Sequence, residues 1–133
     1  MGENKRVWLG GTFGKWRQDL KKLLKIGYWE NDLDDDLETV IADKKNCDYI
    51  LYTLTPSMTG IFSFEEIKQD TKNYPERIIL CALNEEDKNY VHCFDLQSWE
   101  VVQGLAKEVT AEGGKYFEDI KQLADYLNDG GRS

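Results

Sequence analysis

The sequence predicts a three-layer α/β/α, Rossmann-like fold built on a mostly parallel sheet of about five strands. Three observations lead there. Short runs rich in β-branched and aromatic residues alternate with longer segments whose apolar positions recur at helical spacing. The run DYILYTL at 48–54 is apolar almost throughout, as a strand covered by helices on both faces should be. Strands separated by helices need crossover connections, and these bring successive strands parallel. At 133 residues, one domain spanning 1–133 accounts for the whole chain and can bury a core without metals or disulfides.

Each element has its own justification. Lys5 to Leu9 reads as a strand, and the cluster Gly10-Gly11-Thr12-Phe13-Gly14 reads as the loop that ends it. From Trp16, the positions Leu20, Leu23, Leu24 and Ile26 outline a helix that Gly27 stops. Tyr28 and Trp29 form a brief second strand. Asn31 to Asp36 is an acidic turn whose Asp34 to Asp36 suit the positive end of a helix dipole, and Leu37, Val40, Ile41 and Lys44 carry that second helix. Asp48 to Leu54 is the central strand, and Thr55 to Gly60 is the loop after it. A third helix begins near Ser63 and runs to about Lys72, with Ser63 and Glu66 spaced as a capping box. Arg77 to Leu83 is a fourth strand and Tyr90 to Phe94 a shorter fifth. Ser98 is the expected N-cap of a helix over Trp99 to Val109, and Tyr116 to Leu127 is the last helix, followed by a polar end.

Composition excludes several functions. A net charge of −8 opposes a protein that grips duplex nucleic acid by neutralising phosphates. Cys47, Cys81 and Cys93 lack metal-ligand spacing and read as reduced thiols, and His92 beside Cys93 gathers no further ligands, so neither a metal nor another cofactor is expected. No stretch reaches the roughly 18 apolar residues of a membrane span, and the N-terminus has no apolar signal core, so a cytoplasmic protein is expected.

Two loops compete for the ligand position beyond the carboxyl ends of the strands. The first, Gly10 to Arg17, offers backbone N–H groups at a helix start to a phosphate or sugar hydroxyl, with Arg17 as a fork of donors and Trp16 as a flat surface for a base. Its spacing is neither that of a P-loop nor that of a dinucleotide fingerprint. The second, Pro56 to Gly60, leads to Glu65 and Glu66 on the following helix. A carboxylate held ionised at a helix start can act as a nucleophile, and the same Glu66 can instead close the capping box.

Three segments, VWLGGTFGKWR (7–17), CDYILYTLTPSMTGIFSFEEI (47–67) and PERIILCAL (75–83), resemble the nucleoside 2-deoxyribosyltransferase-like family in order and spacing. The resemblance implies a flavodoxin-like sheet and cleavage or transfer at the N-glycosidic bond of a nucleoside or nucleotide. It also implies that Glu66 is the nucleophile. Gly10, Gly11, Thr12, Phe13 and Arg17 would line the sugar or phosphate side, Pro56, Met58 and Trp29 would border the base, and Ser63 would open the helix carrying Glu66. The chain departs from the pattern twice. Gly60 stands six residues before Glu66, where an aspartate handles the base in related transferases, and Glu30-Asn31 replaces an Asn-Pro pair, with Asp32 beside it as a substitute. The first departure motivates an alternative, a binding or sensing module that keeps the pocket without the chemistry. The apolar C-terminal helices motivate a possible homodimer.

Overall fold

Among the described residues, ten elements alternate strictly. They are β1 (Arg6–Gly11), α1 (Trp16–Leu23), β2 (Gly27–Trp29), α2 (Leu37–Lys45), β3 (Tyr49–Leu54), α3 (Phe62–Asn73), β4 (Ile78–Ala82), α4 (Leu96–Ala111), β5 (Lys115–Phe117) and α5 (Ile120–Asn128). This computed structural model describes residues 5–12, 14–32, 34–56, 62–84 and 93–131, the side chains of 62 and 63 excepted.

The five strands form one all-parallel sheet in the order β2-β1-β3-β4-β5, a three-layer, flavodoxin-like arrangement. From β1 the chain steps outward to β2, then crosses back to β3 and continues to β4 and β5. The order therefore reverses between β1 and β3. Burial explains why these two strands and β4 were readable: every residue of β3 and β4 is buried, as is Val7 to Gly10 in β1. Alternation divides the core. Trp8, Ile50, Tyr52, Leu54, Ile78 and Leu80 face α2, α3 and α4, while Val7, Leu9, Leu51, Ile79 and Cys81 face α1 and α5.

Several expectations need correction. The strand read as Lys5 to Leu9 continues through Gly10 and Gly11, which pair with Tyr52 and Thr53. The first helix ends at Leu23, where Leu24 turns extended, and Gly27 opens β2 instead of stopping a helix. The helix over the acidic turn is capped by Asp36, which accepts the Thr39 N–H, yet Leu37 and Ile41 face solvent and Lys44 is buried. The third helix begins at Phe62, so Ser63 lies inside it and Glu66 occupies its second turn; the Ser63 side chain, on which the expected capping box depends, lies outside the described residues. The fourth helix starts at Leu96, with Asp95 as N-cap accepting the Ser98 N–H, so Ser98 is the capped residue and not the cap. Tyr116 and Phe117, expected at the start of the last helix, belong to the fifth strand, Lys115–Phe117; that helix begins only at Ile120, where the Asp119 side chain accepts the Gln122 N–H. Of the strand expected over Tyr90 to Phe94, residues 90–92 lie outside the described residues, and Cys93 makes an isolated bridge.

Candidate functional site

The carboxyl ends of β1 and β3 are tied together by their own backbones. Gly11 has φ +98°, and a Cβ there would run into the Thr53 backbone; a Cβ on Gly10 would run into the Trp8 indole. Only glycine lets the two strands approach this closely. Beyond them, the Thr12 N–H donates to the Thr53 carbonyl (2.8 Å) and the Thr55 N–H donates to Thr12 Oγ1 (3.3 Å). The Thr12 N–H of the bend is thus used within the fold.

Trp16 and Arg17 also turn inward. Trp16 is 4% exposed and its indole N–H donates to the Thr12 carbonyl (2.5 Å), so it offers no open face to a base. Arg17, 7% exposed, donates from one Nη to Glu30 Oε2 (2.9 Å) and from the other to the Gly11 carbonyl (3.3 Å). Glu30 also pairs with Lys21. Burial alone would raise the Glu30 carboxyl, but the hydrogen bonds and charges of Lys21 and Arg17 outweigh it and hold the group below the usual carboxylate range. Arg17 and Glu30 thus brace the bend from the α1 side.

A second group of polar residues lies on the opposite face of the sheet, under α2 and α3. Tyr52, in register with Gly10, is fully buried and donates its hydroxyl to Asp70 Oδ2 (2.5 Å). Lys44 Nζ donates to both Tyr52 Oη (2.8 Å) and Asp70 Oδ2 (2.9 Å) and lies 4.7 Å from the centroid of the Trp8 ring. The buried ammonium therefore has a counter-charge, a neutral acceptor and an aromatic face. Burial first, and then the neighbouring Asp70 and Glu66 carboxylates, push the Tyr52 phenol well above its ordinary range, so it stays protonated as a donor.

Glu66 sits at the rim of this cluster. Its side chain is 53% exposed, with Oε2 3.7 Å from Lys44 Nζ and 3.4 Å from Tyr52 Oη. One face of the carboxylate meets the buried group while the other half of the side chain reaches solvent. The neighbouring Glu65 points elsewhere, into a hollow of about 710 Å³ between α3 and α4 that Lys68, Lys72, Glu108 and Glu112 also line. A second hollow, of about 500 Å³, lies between α1 and α5.

Asn31 closes the β2 side of the same face. It accepts the Trp8 indole N–H (2.6 Å) and donates its two amide hydrogens to Asp35 (2.9 Å) and Asp43 (2.5 Å). The Asn31 that stands in the Glu30-Asn31 pair thus anchors Trp8, and Asp32 is exposed, with its backbone N–H donating to Asp35. Trp29 is 42% exposed at the sheet edge with the Arg6 guanidinium over its ring. Pro56 is half-buried just past β3. Phe13, Met58 and Gly60, and the Ser63 side chain, lie outside the described residues.

Lys44, Tyr52, Asp70, Trp8 and Asn31 are the residues that sequence reasoning missed. A signal existed for two of them: Lys44 continues the helical face of Val40, and Asp70 falls one turn after Glu66 and beside buried Ile67. Among the described residues, no group of three His, Cys, Asp or Glu side chains is arranged to hold a metal, and no helix is long and apolar enough to cross a membrane. Compared with models of known protein families, with curated proteins and with solved structures, the chain matches none.

Proposed function

We propose that this chain cleaves or transfers at the N-glycosidic bond of a nucleoside, with Glu66 as the nucleophile, as its resemblance to the nucleoside 2-deoxyribosyltransferase-like family implies. The observation that supports this reading is the position of the Glu66 carboxylate. It is half-exposed, on the helix that follows β3, and borders a buried donor cluster on the β1 and β3 side of the sheet, next to the strand-order reversal where ligands bind in such folds.

The chemistry is a double displacement. A Glu66 carboxylate oxygen attacks the anomeric carbon, the electron pair of the C1′–N bond leaves with the base, and a glycosyl ester remains on the enzyme. Water or a second base then takes the sugar and frees the carboxylate, with net retention at the anomeric carbon. Because Arg17 and the Thr12 N–H are engaged within the fold, the reading favours a nucleoside over a 5′-phosphorylated substrate. Brief incubation with a 2-fluoro-2-deoxy nucleoside, which slows release of the ester, tests the mechanism. A sugar adduct mapped to Glu66 by mass spectrometry is expected, and an adduct on another residue overturns it.

Gly60, in the place where the resemblance expects an aspartate for the base, favours a second reading in which the fold binds a nucleotide-derived molecule without turning it over. Calorimetry separates the two: tight binding with no base released supports the second reading.

A further inference from the structure

Lys44 lies within 4 Å of two carboxylates but treats them unequally. Its Nζ is 2.9 Å from Asp70 Oδ2 and 3.7 Å from Glu66 Oε2, and the side chains of Lys44 and Asp70 are 9% and 10% exposed against 53% for Glu66. Tyr52 strengthens the bias, accepting from the ammonium while donating to the same Asp70 oxygen. A buried ammonium requires a counter-charge, and here Asp70 is that counter-charge. Glu66 is left beside the cation without a direct hydrogen bond to it.

We propose that Asp70 is a positioning residue whose role is to keep Lys44 from capturing Glu66. Asp70 and Glu66 are one turn apart on α3 and share that face of the helix. Were the Asp70 charge absent, Glu66 would be the remaining carboxylate among the described residues within 4 Å of Lys44 Nζ. The Glu66 oxygen stands at 3.7 Å where the Asp70 oxygen stands at 2.9 Å, so a small shift of an exposed side chain brings it to direct pairing distance. A carboxylate in that direct pair has its lone pairs committed to the ammonium and is a poorer nucleophile. The inference rests on the glycosidic reading for its catalytic meaning, while the pairing itself is independent of any substrate.

For catalysis, D70N is expected to lower kcat about tenfold or more with KM changed less than about threefold, and K44M/D70N, which removes the captor, to regain most of the loss. With kcat taken per folded molecule, an Asp70 that served only to hold the fold together would lower stability in D70N and leave kcat unchanged.

The deciding experiment needs no substrate. Urea unfolding of the full chain is compared for wild type, E66Q, D70N and D70N/E66Q. E66Q is expected to change the folding constant by less than about threefold in the wild-type background and by more than about tenfold in D70N, where Glu66 has become the remaining carboxylate beside the buried lysine among the described residues. An equal factor in both backgrounds overturns the proposal. If D70N does not fold, the Lys44 ammonium resonance is compared between folded wild type and E66Q: an unmoved signal supports the proposal, and a displaced one overturns it. Base release that persists in E66Q would remove the glycosidic reading and still leave the Asp70 result to be decided by this coupling.

Discussion

A glycine, a buried hydroxyl and a side-chain amide carry much of the architecture around the site. Gly11 combines a positive φ with contact against the Thr53 backbone, so any side chain there strains the backbone and separates β1 from β3. G11A is expected to destabilise the fold by about 2 kcal/mol or more, read as a lower urea midpoint. Tyr52 joins Lys44 to Asp70, and Y52F deletes that hydroxyl while leaving the ion pair in place. The expected loss is about 1–2 kcal/mol by chemical denaturation, because Lys44 and Asp70 each lose one buried partner. Asn31 has a comparable part. N31A leaves the Trp8 N–H, Asp35 and Asp43 without their shared amide.

Helices α2, α4 and α5 owe their starting points to aspartates. Asp36 and Asp95 are held below the ordinary aspartate range, mainly by the Thr39 hydrogen bonds for the first and those of Ser98 for the second. A carboxyl with a depressed folded value contributes stability that is complete above its unfolded value and is lost as pH falls through the folded one. Stability is therefore expected to decline below about pH 4, and D36N and D95N should flatten that decline in a pH series of thermal melts.

How much of the fold the sequence discloses follows from what each element buries. Strands β1, β3 and β4 are legible because helices cover both faces and force continuous apolar runs. The end of β1 is not, since glycines normally signal a turn and only the partner strand reveals the close approach that needs them. β5 escapes notice because Lys115–Phe117 is a three-residue edge strand running straight into a helical pattern. In α2, hydrophobic periodicity points to Leu37 and Ile41, whereas the buried position belongs to Lys44, whose charge disguises it. The candidate site was legible at Glu66, placed by its position after β3. Lys44, Tyr52 and Asp70 come together from three separate elements, a proximity no local pattern encodes.

Across the whole molecule, the parallel sheet and its reversal between β1 and β3 bring a glycine bend, a buried cation and an accessible carboxylate to one region. At the N-terminal bend the Thr12 N–H is tied to β3, and Arg17 and Glu30 brace the α1 side. On the proposed reading the chemistry belongs to the α2 and α3 face, where Glu66 lies. The most direct test of the account is to incubate the full chain with a panel of ribo- and 2′-deoxynucleosides and to quantify free base by chromatography, wild type beside E66Q. Base release by the wild type that falls at least about a hundredfold in a normally folded E66Q is the predicted result. Equal release by the two proteins, or none from any nucleoside with the wild type, would contradict it.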